Sequence, residues 1–186
     1  EGVKIDELSS SAPPEVIRDS GNHSLVGLKG TLVRDRTDSR WMPSRGDRLE
    51  LSYEQMVGSY TFGRAVGEYS IYHTLYTDVF ERKHILSGRA AVGRIIGSAP
   101  VFERFYGGGH GSIRGFDYRG VSPRSAGTTQ PIGGDLLILA GAEYTFPIIG
   151  KNLRGAVFLD SGAVEDDFSI TSYRTAAGFG LRWIVP

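Results

Sequence analysis

The stretch Tyr173-Arg174-Thr175-Ala176-Ala177-Gly178-Phe179-Gly180-Leu181-Arg182-Trp183 decides the fold. At a period of two it places Tyr173, Thr175, Ala177, Phe179, Leu181 and Trp183 on one face and Arg174, Ala176, Gly178, Gly180 and Arg182 on the other. The first face carries no charge, and the second carries both guanidiniums. Successive side chains of an extended chain point to opposite sides, so this alternation marks a strand. Tyr173 and Trp183 close the apolar face at its two ends as membrane-interface aromatics, about ten residues apart, the length of a tilted strand that crosses a bilayer. Strands of soluble sandwiches are shorter, about six residues. The reading is an all-β protein, an antiparallel transmembrane β-barrel.

Neighbouring segments repeat the design. On 135–146, Leu136, Ile138, Ala140, Ala142, Tyr144 and Phe146 oppose a face that carries Asp135 and Glu143. On 152–160, Leu153, Gly155, Val157 and Leu159 oppose Asn152, Arg154, Ala156, Phe158 and Asp160. On 83–97, Leu86, Gly88, Ala90 and Val92 face lipid, and Ser87, Arg89 and Ala91 the interior. Further strands are expected over 24–35, 46–57 and 65–78, with a short one at 2–8. His73 falls on the lipid face of 65–78, either as an interfacial residue or as the mark of a slipped register.

The connections alternate in character. Links 9–23, 98–133 and 162–171 are long or polar, whereas 79–82 and 148–150 are tight, the asymmetry of bacterial outer-membrane barrels. The link 36–45 breaks this rule, because parity puts it on the short-turn side. Residues 9–23, opening Ser9-Ser10-Ser11-Ala12-Pro13-Pro14, read as a mobile polar loop.

A chain of 186 residues with 21 basic and 21 acidic side chains fits a single domain over 1–186, with no field to attract nucleic acid. The absence of cysteine removes disulfides, thiolate metal sites and thiol nucleophiles together. No apolar run reaches the roughly 18 residues of a transmembrane helix. The 26 glycines and 11% aromatic residues suit turn-linked strands with aromatic girdles. His23, His73, His84 and His110 show no metal-ligand spacing, and His110 beside Ser112 and Asp117 lacks the convergence a hydrolytic triad needs. No cofactor, metal or enzymatic activity is expected.

The longest link holds Arg104-Phe105-Tyr106-Gly107-Gly108-Gly109-His110-Gly111-Ser112-Ile113-Arg114-Gly115-Phe116. Its Ile113-Arg114-Gly115-Phe116 core resembles the [VI]-R-G-[FY] signature of the bacterial surface antigen family, the BamA-like outer-membrane barrels that insert or secrete other proteins. Phe158-Leu159-Asp160-Ser161-Gly162 resembles the family's F-x-D-x-G motif. Asp35-Arg36-Thr37-Asp38, followed by Pro43-Ser44-Arg45-Gly46, resembles its D-T-R-D…P-T-x-G periplasmic turn. Here Arg and Thr are exchanged, and Ser replaces the Thr after proline.

The resemblance implies that Arg114 anchors the loop in the lumen, with Glu143 and Asp160 as acceptors, Phe158 as packing partner and Gly162 closing the motif. Gly107, Gly108 and Gly109, with Gly115, would be the loop's hinges. Asp35, Arg36, Asp38, Pro43 and Gly46 would build the periplasmic turn. Family barrels have about sixteen strands, and about eight are counted here. The chain therefore resembles the C-terminal half of a barrel without its closing pair or any periplasmic modules. Such a half barrel has two edges that lipid cannot satisfy, so it is not expected to be stable alone. The implied function is insertion of β-barrel proteins into the bacterial outer membrane. Its partners would be outer-membrane lipid, unfolded β-barrel or secreted polypeptides, and accessory periplasmic proteins. The alternatives are a secretion pore for a partner polypeptide, a passive porin-like barrel, or a soluble β-sandwich binding module.

Overall fold

The computed structural model describes residues 2–5, 12–150 and 152–183. Its strands are β1 (Gly2–Ile5), β2 (Gly21–Asp35), β3 (Gly46–Gly58), β4 (Phe62–Thr77), β5 (Lys83–Gly97), β6 (Leu136–Ile149), β7 (Leu153–Glu165) and β8 (Arg174–Trp183). They pair antiparallel in chain order as one eight-stranded sheet, and among the described residues β8 does not close onto β1. The strand expected over 2–8 is seen as Gly2–Ile5, and its residues 6–8 lie outside the described residues. Among the described residues no helix is long and apolar enough to cross a membrane.

The faces follow the period-two reading. Leu28 (80% exposed) and Leu32 of β2, Leu51 of β3, Ile71 of β4, Leu86 and Val92 of β5, Val157 and Leu159 of β7 and Phe179 (87% exposed) of β8 stand exposed on the outward face. A soluble domain rarely leaves so continuous an apolar surface uncovered, whereas lipid requires one. The inward face is polar: Arg48 pairs with Glu50 at 2.8 Å, and Arg64 with Glu103 at 2.6 Å. The β4–β5 register runs unbroken through His73, opposite Leu86, and shifts only beyond it, between Thr74 and Tyr76. His73 is therefore an outward, exposed residue near the short-turn end, and the register does not slip at it.

Two sequence expectations are corrected. Gly162 does not begin a loop: β7 continues to Glu165, because Gly162 lies against the Ile138 carbonyl of β6, where any Cβ would collide. Glu165 ends the strand by accepting from the Thr171 and Ser172 amides at 2.9 and 2.6 Å.

The second correction concerns 9–23. Residues 9–11 lie outside the described residues, but Pro14–Arg18 forms a short helix, α1, with proline in its first turn, where the missing N–H costs nothing. Asp19 behind it is fully buried and accepts from Val101 N at 2.8 Å, Arg18 Nε at 2.9 Å and the Tyr60 hydroxyl at 3.2 Å. Burial pushes the Asp19 carboxyl up, but these bonds outweigh it and hold the group below the usual carboxylate range. The Ser125 hydroxyl also donates to Glu15 at 2.6 Å, tying α1 to the long loop. A cluster of Leu25, Met56, Phe62, Ile95 and Ala99 packs beneath, joined by Tyr60, Phe102 and Phe105. The long-loop end is thus a packed cap on the sheet.

Candidate functional site

The register of five strands, β4 to β8, sets the site. On one inward rung, Ser70, Arg89, Gly141, Asp160 and Ala176 lie side by side; on the next are Tyr72, Ser87, Glu143, Phe158 and Gly178. Gly141 leaves room for Arg89 and Asp160 to meet above it, and Gly178 leaves room for the Phe158 ring. Arg89 Nη2 stands 3.1 Å from Asp160 Oδ1.

The long loop, residues 98–135, descends onto this surface. Bridges Phe105–Gly134 and Gly107–Val121 draw its limbs together. Gly108, at φ 101°, donates its N–H to the Ser112 hydroxyl at 2.7 Å, and Arg89 donates to the Ser112 carbonyl. Ile113 is fully buried. Gly115, at φ 87°, turns the chain against Ala176 of β8. Between these two, Arg114 faces the sheet.

Arg114 Nε donates to Asp160 Oδ2 at 2.6 Å, Nη2 to Asp160 Oδ1 at 3.0 Å, and the Arg114 amide to Oδ2 at 3.2 Å. Its remaining Nη1 reaches Glu143 Oε2 at 2.7 Å. The guanidinium carbon lies 3.6 Å from the Phe158 ring centroid. A forked pair on one carboxylate, a third bond to another and an aromatic face use what arginine's planar geometry offers. Hydrogen bonding to Asp160, ahead of that to Glu143, keeps Arg114 above its ordinary pKa despite desolvation. Arg182 of β8 binds the other Glu143 oxygen at 2.6 Å. A cavity of about 250 Å³ opens beside the network, lined by Arg89, His110, Arg114, Glu143 and Arg182 among others.

The structure thus brings Arg114, Glu143, Phe158 and Asp160 together. Arg89 and Arg182 join them, although sequence reading placed those two only on the inward face. Gly107 is buried against Val121 and Val164; Gly109, at φ 93°, lies beside Tyr118; and Phe116 is half-buried. Tyr173, whose hydroxyl shares a hydrogen bond with Ser161 Oγ at 2.9 Å, and Trp183 stand exposed at opposite ends of β8.

The turn 36–45 is ordered by its own side chains. Asp35 Oδ1 accepts from the Thr37 amide at 3.0 Å and the Thr37 hydroxyl at 2.6 Å. Asp38 accepts from the Ser44 amide at 2.7 Å, the Arg45 amide at 3.1 Å and the Ser44 hydroxyl. Pro43 precedes Ser44, and Gly46, at φ 102°, approaches the Arg36 carbonyl too closely for any Cβ. The Arg36 side chain is exposed, and its amide donates to the Asp47 carbonyl at 2.9 Å.

The Ser44 hydroxyl first, then the Ser44 amide, holds the Asp38 carboxyl far below the usual carboxylate range. A depressed folded-state pKa gives stability that is present above the unfolded value and lost as pH falls through the folded one. The turn is therefore expected to survive acidification to about pH 4, near the ordinary value of a solvated carboxylate, and to loosen only below it. Carbon NMR of the Asp38 carboxyl checks this, and a midpoint at or above 3.8 would contradict it.

Compared with known proteins, residues 3–186 match the sequence model described as the Omp85 superfamily domain. The chain is 33% identical over 170 residues to the outer membrane protein assembly factor BamA of Nitratidesulfovibrio vulgaris, covering 83% of this chain and 21% of that protein. It is 28% identical over 177 residues to the sorting and assembly machinery component 50 homolog of Homo sapiens, covering 87% of this chain and 37% of that protein. The crystal structure of BamA from Haemophilus ducreyi lacking POTRA domains 1–3 superposes with a TM-score of 0.76 at 19% identity, over 86% of this chain and 36% of that one. The last of these establishes likeness of fold alone.

Proposed function

The chain belongs to the Omp85 superfamily, and on that premise we propose that it is part of an outer-membrane barrel that assembles other β-barrel proteins into the membrane. In this reading residues 1–186 are a C-terminal portion of the barrel. The apolar faces of β2–β8 meet outer-membrane lipid and the polar faces line the lumen. The substrates are unfolded β-barrel polypeptides, delivered with the help of accessory periplasmic proteins.

The observation that carries the reading is the seating of Arg114. Its contacts, with those of Arg89 and Arg182, tie the loop across four strands: Arg89 on β5, Glu143 on β6, Asp160 and Phe158 on β7, and Arg182 on β8. An assembly barrel must hold one stretch of wall fixed while strand edges elsewhere pair with an incoming chain. Arg114 is the lumen anchor of that staple.

Depleting the parent protein and quantifying the outer-membrane and secreted proteomes tests the proposal. Broad loss of many barrel proteins is the expected result. Loss of one secreted protein with the barrels intact would instead identify a dedicated secretion pore.

A further inference from the structure

We infer that the short-turn mouth of the inner wall holds a binding site for a polypeptide segment that carries a carboxylate beside an aromatic or large aliphatic side chain. The turn 36–45 folds inward. Thr74 Oγ1 donates to the Ser44 carbonyl at 2.9 Å, and Lys83 Nζ to the Ser44 hydroxyl at 2.7 Å. This leaves Trp41, 94% exposed, and Met42 at the mouth of a cavity of about 250 Å³ that Tyr72, Ile85, Arg154 and Arg182 also line.

The charges there are unbalanced. Arg154 and Arg182 stand directly opposite each other across β7 and β8, and like charges in that relation repel. Arg182 has Glu143, but shares it with Arg114. Arg154 is only 9% exposed and donates to the Lys83 carbonyl at 2.7 Å; among the described residues no carboxylate pairs with it. A buried guanidinium without a counter-charge is costly, and an incoming carboxylate would relieve it. Trp41 and Met42 supply the apolar surface beside that charge. The cavity faces inward, away from the lipid side, so its occupant is a chain in the lumen. This specifies a contact for the substrate class proposed above and rests on the inward face being a lumen. The test is a binding measurement, so it can fail while assembly activity stands.

The probes are N-acetyl-phenylalanine, its neutral amide and inorganic phosphate, titrated into the parent protein in detergent micelles. Trp41 is read as the fluorescence difference between the parent and its Trp41→Phe variant. The carboxylate is expected to saturate the Trp41 signal and to bind about tenfold tighter than the amide, as a partly buried charged hydrogen bond would give. Arg154→Gln should equalise the two. If that variant loses heat-modifiable gel migration, raising salt in the parent should weaken the carboxylate and not the amide. Equal binding of carboxylate and amide would overturn the inference. Phosphate competing as well as the carboxylate would reduce the site to a simple anion site. A Trp41 already shielded from acrylamide in the parent would mean that the protein's own chain fills the cavity.

Discussion

Replacing Asp160 with asparagine is expected to be the most damaging single change on the inner wall, costing about 3 kcal/mol, the scale of breaking a buried ion pair from one side. Asp160 is fully buried and takes guanidinium contacts from both Arg114 and Arg89. With its charge gone, Arg89 would lose the carboxylate it pairs with, and Arg114 and Arg182 would share Glu143. The change is asymmetric with loss of the loop arginine. Arg114→Ala still leaves Asp160 with Arg89 at 3.1 Å and Glu143 with Arg182 at 2.6 Å. Asp160→Asn should therefore lower the urea midpoint of the parent barrel further than Arg114→Ala does. Adding Arg89→Gln to Asp160→Asn should recover part of the loss by removing one uncompensated charge. Asp160→Asn proving milder than Arg114→Ala, or Arg89→Gln deepening the defect, would refute the idea of a shared charge network.

The faces of the wall were legible because a strand between lipid and a wet lumen must specify both sides of its pleat. Val157 and Leu159 against Phe158 and Asp160 is such a statement, and so is Phe179 and Leu181 against Arg182. Strand ends were less legible. Gly162 resembles a turn residue in isolation, and only its packing against Ile138 makes it part of β7. The cap was not legible at all, because what organises it is the bond between Asp19 and Val101, 82 positions apart.

The central network falls between these cases. Motif resemblance pointed to Arg114, Glu143, Phe158 and Asp160, and parity alone put Arg89 and Arg182 on the same side. Placing Arg89 beside Asp160 requires the registers of β5–β6 and β6–β7 together, since the two meet across Gly141. No local pattern carries that offset. It is fixed by the turn and loop lengths and by which faces must meet lipid.

Arg114→Lys is expected to behave almost as badly as Arg114→Ala, and the comparison separates charge from shape. A lysine keeps the positive charge but presents it as one compact ammonium. It could approach either Asp160 or Glu143, but it could not reproduce the fork at 2.6 and 3.0 Å on Asp160 together with the 2.7 Å bond to Glu143. Nor has it a plane to lie 3.6 Å from the Phe158 ring centroid. Losing two charged hydrogen bonds at a site about four-fifths buried, less what the ammonium regains, amounts to about 2 kcal/mol, roughly a 30-fold shift toward the undocked loop. The readouts are tryptic cleavage within 104–131 and insertion of a β-barrel substrate into lipid vesicles by the parent protein. Both variants should expose the loop and slow insertion while heat-modifiable migration persists. Full protection and activity in Arg114→Lys, with loss in Arg114→Ala, would show that the lumen needs only a positive charge there. Loss in both would show that it needs the planar fork, since lysine supplies the charge equally well.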